Sequence, residues 1–128
     1  MIRSPRDRDL FFRSSREIDR VKRLGRRIQT PWFHIAFYPS DPPQATRVTV
    51  VVGRRFGIAV RRNRAKRIFR ALARLVRWDL VQGWDLVIFP RRDVLCVSHA
   101  DLKGTWSATL LRAGLLTAPK SEPCVVSA

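Results

Sequence analysis

The chain has 128 residues, with 26 Lys and Arg against 10 Asp and Glu, for a formal charge of +16. Its hydrophobic fraction of 45% is ordinary for a single globular domain and excludes disorder of the whole chain. No run of about 18 apolar residues is present to span a membrane. The first residues also lack the apolar stretch of a signal peptide, so the expected setting is soluble and cytoplasmic.

Residues 1–13 are charged and irregular and are expected to form a mobile basic arm. Ser14 and Glu17 have capping-box spacing. Ile18, Val21 and Leu24 follow near helical spacing and Gly25 can stop a helix, which predicts a first helix over about 14–24. Thr30-Pro31 opens an extended segment, and Trp32 to Tyr38 reads as a strand. Pro39 to Pro43 is a loop, and residues 47–52, Arg-Val-Thr-Val-Val-Val, form the clearest strand.

A helix is predicted from Val60 to about Trp78, with no Gly or Pro inside it. Ala65, Ile68, Phe69, Leu72, Leu75 and Val76 fall on one arc of about 120°. Asn63, Lys66, Arg67, Arg70, Arg74 and Arg77 fall on the opposite arc, with Arg62 and Arg64 at the flanks. Trp84 to Phe89 is a further strand ended by Pro90, and Val94 to Val97 a short extended piece. Ser98 and Asp101 cap a last helix that carries Leu102, Trp106, Leu110 and Ala113 on one stripe and ends at Gly114. Residues 117–128 are expected to be a disordered tail, which leaves 14–116 as one domain.

The order is α-β-β-α-β-α, an α+β fold. Helices packed on a small mixed sheet make a two-layer sandwich. The strands at 47–52 and 84–89 flank a helix and are candidates for a parallel pair.

Charge distribution narrows the function. Residues 42–78 hold eleven basic side chains and no acidic one, and 22 of the 26 basic residues of the chain are arginine. Arginine presents a planar fork suited to phosphate and to stacking on bases. Solvated surfaces usually mix signs, so this span is read as a polyanion-binding face. Trp32, Trp78, Trp84 and Trp106 are candidate stacking platforms, but three of the four lie in or beside regular apolar patterns, so the core is the expected role. Asp79, Asp85, His34 and His99 are isolated and are given turn, surface or structural roles. Cys96 and Cys124 lack metal-ligand spacing and are read as reduced thiols. No carboxylate pair, Ser/His/Asp set or Cys/His set forms a protein-borne catalytic or metal site.

The functional segment is residues 53–70. Gly53 and Gly57 bracket Arg54 and Arg55, which lets the backbone approach a ligand closely. The helix starts just before Arg61, so its free N–H groups favour an anion. Asn63 offers a donor and an acceptor to a base or sugar. These features by themselves leave RNA and DNA both open. A DNA-reading helix, a membrane-surface helix and a structural ribosomal protein are the competing readings.

Residues Arg54-Arg55-Phe56-Gly57-Ile58-Ala59-Val60-Arg61-Arg62-Asn63-Arg64-Ala65-Lys66-Arg67 resemble the signature of the bacterial ribonuclease P protein family. The Arg-Glu-Ile-Asp helix at 16–19, the strand at 47–52 and the Asp85-Leu-Val-Ile stretch also follow that family's order. The resemblance implies the small subunit of a ribonucleoprotein that removes the 5′ leader of precursor tRNA. It further implies that Mg²⁺ and the chemistry belong to the RNA subunit, with no cofactor on the protein alone. The partners implied are the ribonuclease P RNA and precursor tRNA, with a monomeric free protein. The RNA-facing residues would be Arg54, Arg55, Arg61, Arg62, Asn63, Arg64, Lys66, Arg67 and Arg70. The family's strand–helix–strand crossover is left-handed, against the general rule. Its leader cleft commonly carries aromatics, and the matching positions here are Ile18, Lys22 and Ala36, with Phe33 close by. None of the three aligned positions is aromatic.

Overall fold

The structure is a computed structural model that describes residues 10–12, 14–40, 46–77 and 79–116. Three helices, α1 (Ser15–Leu24), α2 (Ala59–Val76) and α3 (His99–Ala113), accompany four strands. The strands are β1 (Arg26–Gln29), β2 (Phe33–Pro39), β3 (Arg47–Val50) and β4 (Trp84–Pro90). They form one mixed sheet in the order β1-β2-β4-β3, with β3 and β4 parallel and the other pairs antiparallel. α2 is therefore the connection between the two parallel strands.

Side-chain alternation gives the sheet two different faces. Phe33, Ile35 and Phe37 of β2, Val48 and Val50 of β3, and Leu86 and Ile88 of β4 are buried in one core with α2 and α3. Phe33, Phe69 and Trp106 meet there, with ring centroids 5.3 to 6.0 Å apart. The buried Trp106 indole donates from Nε1 to the Leu72 carbonyl at 3.2 Å, which ties α3 to α2. On the other face Ala36 and Val87 lie under Val21 of α1 and beside Phe12. Trp84 packs edge-on against Phe37, and Trp32 is half-buried against the main core.

The helix ends follow their capping residues. Ser14 Oγ accepts from the Glu17 N–H, and Ser98 Oγ from the Asp101 N–H. Gly114 ends α3 with φ of 76°, a left-handed turn that glycine adopts without strain. Gly25 acts differently: its φ is −76° and ψ 160°. A Cβ there would lie 2.5 Å from the Val21 carbonyl oxygen and 2.8 Å from that of Phe37. Glycine is needed for the close passage of α1 over β2, not for a left-handed cap.

Several expectations are corrected. β1 is an additional strand, because Arg26-Arg27-Ile28-Gln29 has a single apolar residue and no visible alternation. It forms by pairing with β2 across a turn in which Thr30 N–H donates to the Phe33 carbonyl. As a polar, basic edge strand it resists further pairing. Leu10 and Phe12, expected in the mobile arm, are 2% and 5% exposed and belong to the folded domain. Phe12 N–H donates to the Val48 carbonyl, so this apolar segment covers the β3 edge. The piece at Val94–Val97 is instead part of a 3₁₀ turn over Arg92–Cys96. Residues 1–9, 13 and 117–128, which hold the rest of the predicted arm and the predicted tail, lie outside the described residues, as does Trp78.

Candidate RNA-binding interface

α2 enters from a 3₁₀ turn over Arg54–Phe56. Phe56 is buried and anchors the turn, while Arg54 and Arg55 are exposed. Gly57 has φ of 147°, a conformation that a side chain would strain. The following helix has no side-chain cap at Ile58 and no acidic residue in its first turn. Its free N–H groups and the exposed Arg61 thus combine with Arg54 and Arg55 in one electropositive corner.

Along α2 the sheet-facing ridge is Ala65, Phe69 and Ala73, with Leu72 beside it, all fully buried. The opposite side exposes Asn63, Arg64, Arg67 and Arg74, while Arg62, Lys66, Arg70 and Arg77 are half-buried at the margins. Apolar and cationic sides are separated as predicted, but the centre of each is shifted: Arg64, expected at a flank, is exposed, and Lys66, Arg70 and Arg77, expected on the cationic arc, lie at its margins. Leu75, expected in the core, is 54% exposed, and Ala73 is buried instead. Small side chains at 65 and 73 let the helix sit close to the sheet on that ridge, which turns Leu75 outward. Arg70 and Arg74 have their guanidinium carbons 5.9 and 5.4 Å from the Phe11 ring centroid. The N-terminal segment therefore supports two of the cations from below.

Beside α1 the sheet opens into a groove of about 900 Å³. Lys22, Arg55, Arg91 and Arg92 contribute cations to it, Asp93 the one acid, and Val51 and Phe89 apolar surface. His34 stacks on Phe89 with centroids 4.6 Å apart and planes 15° apart. Burial lowers the His34 pKa, and Arg91 and Arg27 add to the effect. Its Nδ1 has no hydrogen-bond partner in the structure.

The predicted cleft residues divide. Lys22 lines the groove. Ile18 is half-buried in the seam between α1 and the sheet, and Ala36 is fully buried beneath it. Phe33 points to the opposite face and is 0% exposed in the main core. Its placement in the cleft is corrected, because odd-numbered β2 residues face α2 and α3. The groove's aromatic surface comes from Phe89, which in the sequence reads as one more apolar strand residue. Only the β2–β4 register, with His34 opposite Phe89, shows that the two form a pair.

Arg47 belongs to neither surface. It donates to Glu17 of α1 at 2.7 Å and to Asp85 of β4 at 3.1 Å, and its guanidinium lies 4.7 Å from the Phe12 ring centroid. Burial opposes the Arg47 charge, but the bonds to Glu17 and Asp85 outweigh it and raise its pKa. Burial also raises the pKa of Asp85, and Arg47 only partly offsets this. The same pairing thus favours the charge on Arg47 without fully compensating the more enclosed Asp85. Sequence reasoning misses this cluster, because Asp85 looks like an isolated acid there and Arg47 like part of the cationic run.

The Ribonuclease P family model matches residues 7–114. The chain belongs to the ribonuclease P protein family. It is 34% identical over 105 residues to the ribonuclease P protein component of Chloroflexus aggregans, covering 81% of this chain and 77% of that one. It is 35% identical over 111 residues to that of Chloroflexus aurantiacus, covering 86% and 82%. The ribonuclease P protein from Thermotoga maritima superposes with a TM-score of 0.70 at 27% identity, covering 79% of this chain and 94% of that one. That of Staphylococcus aureus shares the fold, with a TM-score of 0.75 at 16% identity over 84% and 98%. The chain is therefore the protein component of a tRNA-processing endoribonuclease, and the ribosomal alternative has no support. No helix among the described residues is long and apolar enough to cross a membrane.

Proposed function

We propose that this ribonuclease P protein holds the catalytic RNA on the α2 corner and receives the single-stranded 5′ leader of precursor tRNA in the groove beside α1. The observation that carries this reading is the acid-free cationic surface of Arg54, Arg55, Arg61, Arg64 and Arg67, set around an uncapped helix start. Phosphates on the RNA meet forked donors there, and release of counterions drives association. Arg62, Asn63, Lys66 and Arg70 extend the same surface. The groove is a separate, half-apolar channel that shares Arg55 with this corner, so one RNA path can run from one to the other.

Among the described residues no group of three or more His, Cys, Asp or Glu is placed to hold a metal ion. We assign the divalent ion of the reaction to the RNA subunit. The protein's part is to bind, to orient and to lower the repulsion between two polyanions, as a monomer in the bacterial cytoplasm.

The test is cleavage of precursor tRNA by cognate ribonuclease P RNA at low Mg²⁺. Adding the folded protein is expected to raise the rate, and more for a precursor with a leader several nucleotides long than for one with a single nucleotide. An unchanged rate would overturn the assignment.

A further inference from the structure

Phe11 and Phe12 run along the outer edge of β3. Phe11 bridges Val48 in parallel register, and the Phe12 N–H donates to the Val48 carbonyl. Successive side chains of an extended segment point to opposite faces. Phe12 is buried on the α1 side, beside Arg47. Phe11 is half-buried on the α2 side, against the main core. There the guanidinium carbons of Arg70 and Arg74 lie 5.9 and 5.4 Å from its ring centroid. Both are within the range over which a cation is attracted to a ring face.

Arg70 and Arg74 are one helical turn apart, so their like charges repel. The ring offsets part of that repulsion and restricts two long side chains that would otherwise be ordered only on binding, at a cost in affinity. Unlike a carboxylate, it leaves both positive charges in place. The donors of a guanidinium lie in its plane, so an arginine held against a ring still presents a fork to phosphate. Arg74 is exposed and Arg70 half-buried, and with Asn63 and Arg67 they make one stripe along α2. Arg74 stands in the last turn, about 20 Å along the axis from Arg61. A cation there also complements the helix dipole, but that role requires neither a ring nor a second arginine.

We propose that Phe11 is a positioning residue for RNA binding, and that it holds Arg70 and Arg74 as a paired phosphate-binding site at the far end of α2. The ligand is the phosphate backbone of the catalytic RNA, which the two arginines meet as a preformed pair. This rests on the reading that α2 meets that RNA. It goes further by adding Arg74 to the contact and by giving the N-terminal segment a part in it.

The test is binding of the full chain to cognate ribonuclease P RNA at several salt concentrations, with urea unfolding of each variant beside it. Arg70→Gln combined with Arg74→Gln should flatten the plot of log affinity against log salt by about 0.7–0.9 for each phosphate no longer neutralised. Phe11→Leu keeps apolar packing but has no π face. It should weaken binding by about 2- to 5-fold, and Phe11→Tyr should keep the affinity. Added to the paired Gln substitutions, Phe11→Leu should cost nothing more, whereas a merely structural role would cost the same factor in both backgrounds. The positioning role is overturned if Phe11→Leu binds as tightly as the unaltered protein, or loses the same factor without the two arginines. An unchanged slope in the paired Gln variant overturns the phosphate site, whatever the fate of Phe11→Leu. If that slope stays while replacing Arg64 and Arg67 flattens it, the α2 reading stands; if neither pair moves it, that reading falls as well.

Discussion

Arg47 donates from Nη2 to Glu17 Oε2 across 2.7 Å, joining the edge of the sheet to the first turn of α1. Nη1 also donates to Glu17, while Nε and Nη2 donate to Asp85, on the neighbouring β4. An arginine from the most basic part of the chain is thus committed to holding two layers together. Arg47→Met should destabilise the fold by about 2–3 kcal/mol, because it leaves the enclosed Asp85 carboxylate without its partner. Urea unfolding measures this loss. The salt dependence of RNA binding should stay as it was, which separates Arg47 from the phosphate-binding arginines.

Arg64 and Arg67 are exposed on the outer side of α2. Replacing both with Ala should leave stability within about 0.5 kcal/mol per site. It should flatten the plot of log affinity for ribonuclease P RNA against log salt by about 0.7–0.9 for each phosphate that is no longer neutralised. Filter binding at several salt concentrations reads both slope and affinity. An unaltered slope would place the RNA on another surface.

His34 should make stability depend on pH. Burial, together with Arg91 and Arg27, lowers its pKa below 6.5 in the folded protein. The unfolded chain therefore binds more protons in the window between the lowered value and 6.5, and stability rises with pH through that window. Above it the contribution is constant. His34→Phe keeps a ring against Phe89, removes the unpartnered Nδ1 and should flatten the rise. It should also add about 1 kcal/mol at acidic pH by removing an unsatisfied polar atom. Unfolding curves of both proteins from pH 5 to pH 8 test this.

Gly25→Ala places a methyl group against two carbonyl oxygens that cannot retreat without moving α1 off β2. A cost of about 1–3 kcal/mol is expected from this overpacking, seen as a lower urea midpoint. A helix-favouring substitution would be stabilising if Gly25 served only as a helix stop, so the sign of the change decides between the two roles.

Much of the fold was legible because its elements carry strong local signals. α2 shows a helical period over five turns, and β3 and β4 are dense in β-branched residues. Ser14 and Ser98 announce the helix starts that they cap. β1 carried no such signal, since an edge strand with one apolar residue exists only through its partner. Leu75 and Ala73 changed places because periodicity gives the direction of a face, while close packing decides where that face is centred.

The chain's own residues determined that α2 would set an oily side against a cationic one, and that residues 54–67 would match one family of RNA-binding proteins. Both are local properties, written in residue type and spacing. Tertiary structure decided which cations are free to meet RNA and which, like Arg47, are held by carboxylates 30 and 38 positions away. It also decided that Phe33 lies in the core while Phe89 opens onto the groove. The physical reason is that the face of a strand residue and the partner of a charge follow from strand register and helix placement. These depend on pairings between residues remote in the chain, and no short stretch of sequence contains them.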